Sequence, residues 1–382
     1  MVTEVPRRGR FHSDRIARAL PPMEASDLLC GLPSLRFEAP LDEDGKRSAE
    51  DIRVRAWARS VCSCSHAAFV CRLLAALRCK VLENSHFPHS WMAKFQILKS
   101  NSGCLSIGVL GDDDLGKQLV LVLIHHAYIA PKHITISSSW PEALDELMDL
   151  GVHCICDNQR LATSVDVLFL CCQPFQLKLV ASKMRGHISK TCIVYSLVTA
   201  VPARRLQHLL GHCNIVRPQY IFQGDLWARL WEKNKNIAES LLDQEVVEET
   251  SPFKEPYLKF MKPTWFEEVL YSALNTCYLL KVPHMVSVTI LNDLLFSATH
   301  GLEAFSDPDL FVCESFIDES FAQSLSQNSP FPWFDLSSMS QQDTPLTRFF
   351  SMHPRLQLHL SFVYHMTMLK SQGTFNEECC RD

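Results

Sequence analysis

Cys104-Leu-Ser-Ile-Gly-Val-Leu-Gly111-Asp-Asp-Asp-Leu-Gly116 is the stretch that decides how this chain folds. An apolar run, Leu105 to Leu110, turns through Gly111 to Gly116 and enters a helical pattern, Lys117 to Tyr128. Strand, tight turn and helix in that order open a dinucleotide-binding βαβ unit, whose fingerprint is G-x-G-x-x-G. The first and third glycines are present as Gly111 and Gly116, and Asp113 stands at the middle one. That middle glycine lets the backbone approach a diphosphate, so Asp113 brings a side chain and a negative charge to the same place.

Outward from this unit the pattern alternates. Further strands are expected at Lys132–Ser138, Val152–Cys156, Asp166–Cys172, Thr191–Leu197 and Asn214–Arg217. Helices are expected at Glu142–Leu150, Pro174–Arg185 and Pro202–Leu210, with Ser139 and Pro141 opening the first and Gly151 closing it. Asp157–Ser164 reads as a short connection. Strands buried on both faces read as near-continuous apolar runs, and Asp166–Cys172 is one. The fold class expected is α/β, a Rossmann-type doubly wound parallel sheet with a helical N-terminal extension and an α-helical C-terminal domain. The divisions are residues 1–100, 101–223 and 224–382.

Residues 1–50 carry no sustained period and read as an arm. From Glu50 to Leu82, Val54, Trp57, Val61, Ala68, Cys71, Leu74, Leu77 and Val81 recur at helical spacing. That predicts an amphipathic helix broken near Ser63–Ser65. Cys62, Cys64, His66 and Cys71 lack the paired spacing of structural zinc, so packing is expected and no metal. Asp225–Val247 reads as helical, and Glu248–Pro263 as a linker. Trp265–Leu280 and Val286–Thr299 read as apolar helices, Ser306–Asp343 as a loop over the core, and Leu346–Leu369 as a helix interrupted at Pro354.

Composition bounds the rest. Of 382 residues 47% are hydrophobic, enough for a large core, and the net charge is −5. Residues 1–100 hold 16 Lys/Arg against 11 Asp/Glu, too mixed in sign for a nucleic-acid surface. The longest purely aliphatic run, Leu119–Ile124, is far short of a bilayer span, so no membrane is expected. There are 16 cysteines, several within strand patterns, and no apolar leader precedes them; free thiols in a reducing compartment follow. Arg7, Arg8, Arg10, Arg15 and Arg18 hint at a transit peptide, which Glu4 and Asp14 oppose. The cytoplasm is therefore expected, mitochondria less so.

Two features bear on ligand. Asp112, Asp113 and Asp114 lie where a helix N-terminus would draw phosphate; acids there also stabilise the helix itself, by roughly 0.3–1 kcal/mol each. Ser137-Ser138-Ser139 ends the second strand, where NAD usually meets an acid; hydroxyls there favour NADP, or else merely end the strand and cap the helix.

With these residues in place, the chain resembles the pyrroline-5-carboxylate reductase family, well over 104–217 and more weakly over 263–299. Ile107 to Gly116 stands at its glycine-rich turn. Ser137-Ser138 matches a serine pair that meets the NADP 2′-phosphate, and Asn158 a ribose-side asparagine. Asp166 to Pro174 resembles its D-V-L-F-L-A-V-K-P, with Gln173 for the lysine, and Val194-Tyr195-Ser196 through Val201 its S-x-A-x-G-V. The resemblance implies NADP held by Gly111, Asp112, Asp113, Asp114, Leu115, Ser137, Ser138, Asn158, Cys172, Gln173 and Ser196. Beyond Arg217 the family's M-T-N-T-P is replaced by Pro218-Gln219-Tyr220-Ile221-Phe222-Gln223, so the family's imine is not expected as substrate. Two functions follow: an NADP-dependent oxidoreductase of unknown small-molecule substrate, or a catalytically inactive Rossmann protein acting as nucleotide sensor or interaction module. No catalytic residue is identified; Tyr195 and Tyr220 are proton-donor candidates by chemistry alone. A homodimer through the C-terminal helices is the remaining partner the resemblance implies.

Overall fold

The computed structural model describes residues 43–83, 104–111, 113–220, 236–252, 264–296, 310–339 and 342–369. Asp112 and Ile221 to Gln223 lie outside these residues, as do most of the 1–50 arm and of the expected linker. Residues up to Ile52 and those from Arg53 onward form separate compact units; apart from the start of the N-terminal helix, everything below lies in the second.

Six strands form one parallel sheet: β1 Ile107–Leu110, β2 Ile134–Ser137, β3 His153–Ile155, β4 Val167–Leu170, β5 Ile193–Ser196 and β6 Ile215–Val216. Their order is β3-β2-β1-β4-β5-β6. This is the doubly wound order, with its reversal between β1 and β4. The expected strands are all present, each shorter than its expected range.

Before the sheet runs helix α1, Glu43–Glu83. Around the strands come α2 Asp114–His125, α3 Asp145–Asp149, α4 Asn158–Ser164, α5 Leu177–Met184 and α6 Ala203–Leu210. The short connection expected at Asp157–Ser164, or at most one helical turn there, is the helix α4, started by Asp157, whose carboxylate accepts from the Gln159 and Arg160 N–H groups. Ser139 does not cap the turn before α3. Ser138 Oγ accepts from Trp140 N at 2.8 Å just before it, and Pro141 opens a 3-10 turn, Pro141–Leu144, that has no side-chain cap. Gly151 follows α3 at φ +93°, the left-handed closing residue its type predicts.

Alternation along the strands splits the sheet between two cores. Ile107, Val109, Ile136, Val167, Phe169 and Tyr195 face the larger one. Leu110, Leu168, Leu170 and Val194 face the smaller, against Leu161, Leu177, Met184 and Leu206. Gly108 lets α4 lie close, because an added Cβ would meet Val165 and Leu161 at 3.0–3.1 Å.

The larger core is closed by α1 and by helices after the sheet. These are α7 Ile237–Ser240, α8 Gln244–Glu249, α9 Thr264–Leu279, α10 His284–Phe296, α11 Glu319–Ser324, α12 Leu336–Met339, α13 Pro345–Met352 and α14 Pro354–Leu369. Pro354 breaks the last stretch where expected, because its ring cannot continue a helix. In the described part of Asp225–Val247 there are two short helices, α7 and α8, started by Asn236 and Asp243 caps. The expected loop over the core seats Phe311, Phe316, Phe331 and Phe334 into it.

Helix α1 departs from expectation. It is unbroken, and every residue from 61 to 74 is buried, so it is enclosed rather than amphipathic. Ser65 does not break it, because its hydroxyl finds Tyr364 Oη at 2.6 Å and Thr250 Oγ1 at 3.3 Å. Its Ile52–Glu83 segment is the one helix among the described residues long and apolar enough to cross a membrane. Yet 83% of that window is buried inside the protein, as befits a core helix. Burial pushes the Cys62, Cys64 and Cys71 thiols far up, and no metal-holding cluster occurs among the described residues. Twelve described cysteines are free; Cys79 is the exception to the expectation, being disulfide-bonded.

Candidate functional site

The reversal of strand order opens a crevice at the carboxyl ends of β1 and β4, where such sheets bind ligands. Gly111 and Gly116 build its floor. Gly111 sits at φ +118°, and a Cβ there would come within 2.9 Å of the Cys171 carbonyl carbon and Cys172 N. A Cβ on Gly116 would lie 2.2 Å from the Gly111 oxygen. The turn is thus pressed onto both the end of β4 and the start of α2, the close packing that the first and third fingerprint glycines permit.

Asp113 occupies the N-cap position of α2 without capping it; no backbone N–H of the helix bonds its side chain. Its Oδ2 instead accepts from Gln173 Nε2 at 2.7 Å. These are two of the positions at which the chain departs from the family pattern, and the fold brings them together across the crevice mouth. Asp114 is exposed and Leu115 half-buried in the first turn of α2.

At the end of β2, Ser137 Oγ donates to Asn158 Oδ1 at 2.6 Å, so the two residues matched to an NADP subsite meet. Ser137 and Ser138 are buried at 4% and 5% exposure. Cys172 is buried too, which pushes its thiol up to about 11, with Asp113 adding to the rise; it is no nucleophile at neutral pH. Ser196, the last residue of β5, is buried with its Oγ unpartnered.

Neither candidate tyrosine serves the crevice. Tyr195 is fully buried, and its oxygen accepts from Trp265 Nε1 at 2.9 Å. Tyr220 meets His66 Nδ1 at 3.1 Å, while His66 Nε2 lies 2.7 Å from the Thr250 carbonyl. A carbonyl only accepts, so Nε2 carries the proton and Tyr220 donates inward to Nδ1. Burial holds His66 neutral, pushing it down to about 4, and pushes both tyrosines well up. Spacing could not reveal this, because the partners come from α1 and from helices after the sheet.

Sequence reasoning also passed over Glu268 in α9. It lies buried at the end of β6, accepting the Arg217 backbone N–H at 3.0 Å. Burial pushes its carboxyl up to about 8, against the pull of that hydrogen bond and of the Arg217 charge. Two adjacent acids in the largely apolar Trp265–Leu274 run were the available signal. Below pH 4.5 the carboxyl is protonated in both folded and unfolded chains, so stability is full there. It falls as pH rises toward about 8, because the unfolded chain ionises first. Glu268→Gln is therefore expected to gain on the order of 2–4 kcal/mol at pH 8.5 and little at pH 4.5. Urea unfolding at the two pH values checks this; an equal change at both would contradict it.

Strand order, glycine turn and crevice define a Rossmann domain of the oxidoreductase type. Residues 106–199 match the family described as NADP oxidoreductase, coenzyme F420-dependent. Over 341 residues the chain is 34% identical to the Mus musculus protein called NADP-dependent oxidoreductase domain-containing protein 1, covering 88% of this chain and 92% of that one. The chain belongs to that protein's family. Among solved structures it is similar to a pyrroline-5-carboxylate reductase from Coxiella burnetii, at 14% identity over 69% of this chain and 97% of that one, TM-score 0.29. The Plasmodium falciparum pyrroline carboxylate reductase with NADP bound gives 10% identity over 70% and 98%, TM-score 0.27. At these scores the fold assignment rests on the strand order itself.

Proposed function

We propose that the chain binds NADP(H) in the β1/β4 crevice and acts as an oxidoreductase on an imine or carbonyl other than pyrroline-5-carboxylate. The glycine turn carries this reading: Gly111 and Gly116 pack it against β4 and α2, where a Cβ on either would strike backbone, as the first and third glycines of a dinucleotide fingerprint do. The unpartnered Ser196 hydroxyl at the end of β5 supports it. Among the described residues of the turn, Asp113 opposes it most directly, standing at the N-cap position of α2. A nicotinamide would supply the hydride, and the protein's part is to bind, orient and exclude water. Gly111, Leu115, Cys172, Gln173 and Ser196 would flank the ligand, with Ser137, Ser138 and Asn158 at its adenosine end.

Preference for the phosphorylated cofactor follows from Ser137 and Ser138, since no carboxylate at the end of β2 repels a 2′-phosphate. A fluorescence titration is expected to give a lower Kd for NADPH than for NADH. Equal or tighter NADH binding would remove the serine argument, and no binding of either would remove the proposal.

A second reading is favoured by Asp113 bonded to Gln173 and by tyrosines turned inward: a Rossmann protein that binds nucleotide, or a partner, without turnover. NADPH consumption with pyrroline-5-carboxylate and a panel of carbonyls separates the two. Binding without consumption supports the second; turnover of pyrroline-5-carboxylate itself would refute the expected loss of that substrate.

A further inference from the structure

We propose that a cavity at the amino ends of β1, β2 and β3 binds a small phosphate ester, with Lys132 and Arg160 as its principal anion partners. The site does not rest on the NADP(H) reading above. The strands are parallel, so this end lies one strand length, about 13 Å for four residues, from the crevice at their carboxyl ends. Register explains why it is open. Thr135 pairs with Gly108 on one side and with His153 on the other, so all three positions share the face of the sheet that carries Leu110. Helix α4 packs over β1 and β2 on that face but is only seven residues long. At the sheet edge, β3 is left without a buried residue. The space between them is a cavity of about 550 Å³, a size that admits small organic molecules.

Its lining is one-sided in charge. Lys132 and His133 come from the turn before β2, His153 from the first residue of β3 and Arg160 from α4, and no acid joins them. A concave site lined by one sign of charge focuses its field and concentrates counter-ions. The acids nearby are engaged elsewhere. Asp166 is ion-paired to Arg78 at 2.8 Å and accepts from Ser106 N, and Asp157 caps α4. Neither Lys132 nor Arg160 has a carboxylate within ion-pair distance among the described residues. The crowding is felt inside the cluster: burial, and then the Lys132 and His153 charges, push His133 down. The last carbonyls of α4, which would repel an anion, already accept hydrogen bonds: Arg160 from Thr163 Oγ1, Leu161 from Ser164 Oγ and Ala162 from Ser189 N. A guanidinium fork and an ammonium suit the several oxygens of a phosphate, and imidazole N–H groups and the Thr135 hydroxyl add donors. Met148, Val152 and Ile155 supply an apolar wall for an organic body. A phosphate ester uses both the cations and the wall; free phosphate uses the cations alone.

The test is calorimetric titration of the full chain with phenyl phosphate, inorganic phosphate and benzoate. Phenyl phosphate is expected to bind at one site and more tightly than the other two. Lys132→Gln and Arg160→Gln, both at exposed positions, are each expected to weaken it about tenfold, and Lys183→Gln, exposed on α5, to change it by less than about twofold. Because all three side chains are exposed, urea unfolding should find the variants as stable as the native chain. No saturable binding of phenyl phosphate, an unchanged affinity in either Lys132→Gln or Arg160→Gln, or an equal loss in Lys183→Gln would overturn the site. Inorganic phosphate or benzoate binding as tightly as phenyl phosphate would overturn the phosphate ester as its ligand.

Discussion

Replacing Asp113 by glycine is expected to tighten NADP(H) binding about tenfold, roughly 1.4 kcal/mol. The carboxylate stands at the N-cap position of α2, beside the tight glycine turn, yet caps nothing. Two unit charges about 4 Å apart interact by roughly 1–4 kcal/mol between watery and surface-like dielectrics, and a diphosphate here would be a like charge. The carboxylate also engages the Gln173 amide at 2.7 Å, a donor that a phosphate oxygen could otherwise use. Asp113→Gly removes the repulsion and releases the donor together. Asp113→Asn removes the charge and keeps an acceptor for Gln173, so it should recover only part of the gain. Stability should fall slightly, since one exposed hydrogen bond of about 0.5–1.5 kcal/mol is lost and a flexible residue gained. Isothermal titration decides the matter. Tight binding by the native chain and weaker binding by Asp113→Gly would mean the loop has adapted to its acid, and would strengthen the enzymatic reading over the non-catalytic one.

Gly116→Ala should have the largest effect on folding of any single methyl in this turn. The added carbon would sit 2.2 Å from the Gly111 oxygen, a backbone atom. Gly111 cannot retreat easily. Its N–H reaches the Ser137 carbonyl at 3.3 Å, and its own Cα faces the Cys171–Cys172 peptide. Helix α2 would have to lift from the sheet, carrying buried Leu119, Val120, Val122 and Leu123 with it. Overpacking against backbone of this kind costs on the order of 2–4 kcal/mol. The midpoint of urea unfolding should drop accordingly, and any nucleotide affinity should drop with it. A Gly116→Ala chain as stable as the native one would show that the turn is not held as described.

Much of the architecture was legible because its signals are local. Six apolar runs separated by helical patterns specify a parallel sheet, since strands covered on both faces leave no polar alternation to confuse them. Gly111, Gly116 and Gly151 announced their roles because close approach or a left-handed backbone excludes other residues. The break at Pro354 was equally local. From these the strand order and the crevice at its reversal follow.

What the sequence by itself determined, then, is the sheet, its winding and the position of the crevice where the strand order reverses. Tertiary structure alone decided how that crevice is furnished. Asp113 and Gln173 are 60 residues apart and read separately as two departures from a pattern; the fold makes them one hydrogen bond. Ser63 to Ser65 looked like a helix break, and became buried helix because Thr250 and Tyr364 arrive to meet Ser65. Tyr195 and Tyr220 offered themselves as proton donors by type, and turned inward because Trp265 and His66 await them. Glu268 became a carboxyl titrating near 8 only when α9 was buried against β6. Period and propensity act over a few neighbours along the chain, whereas the partner of a buried polar group is chosen by elements far apart in sequence. That is why the fold was readable from residues, and the chemistry of its site was not.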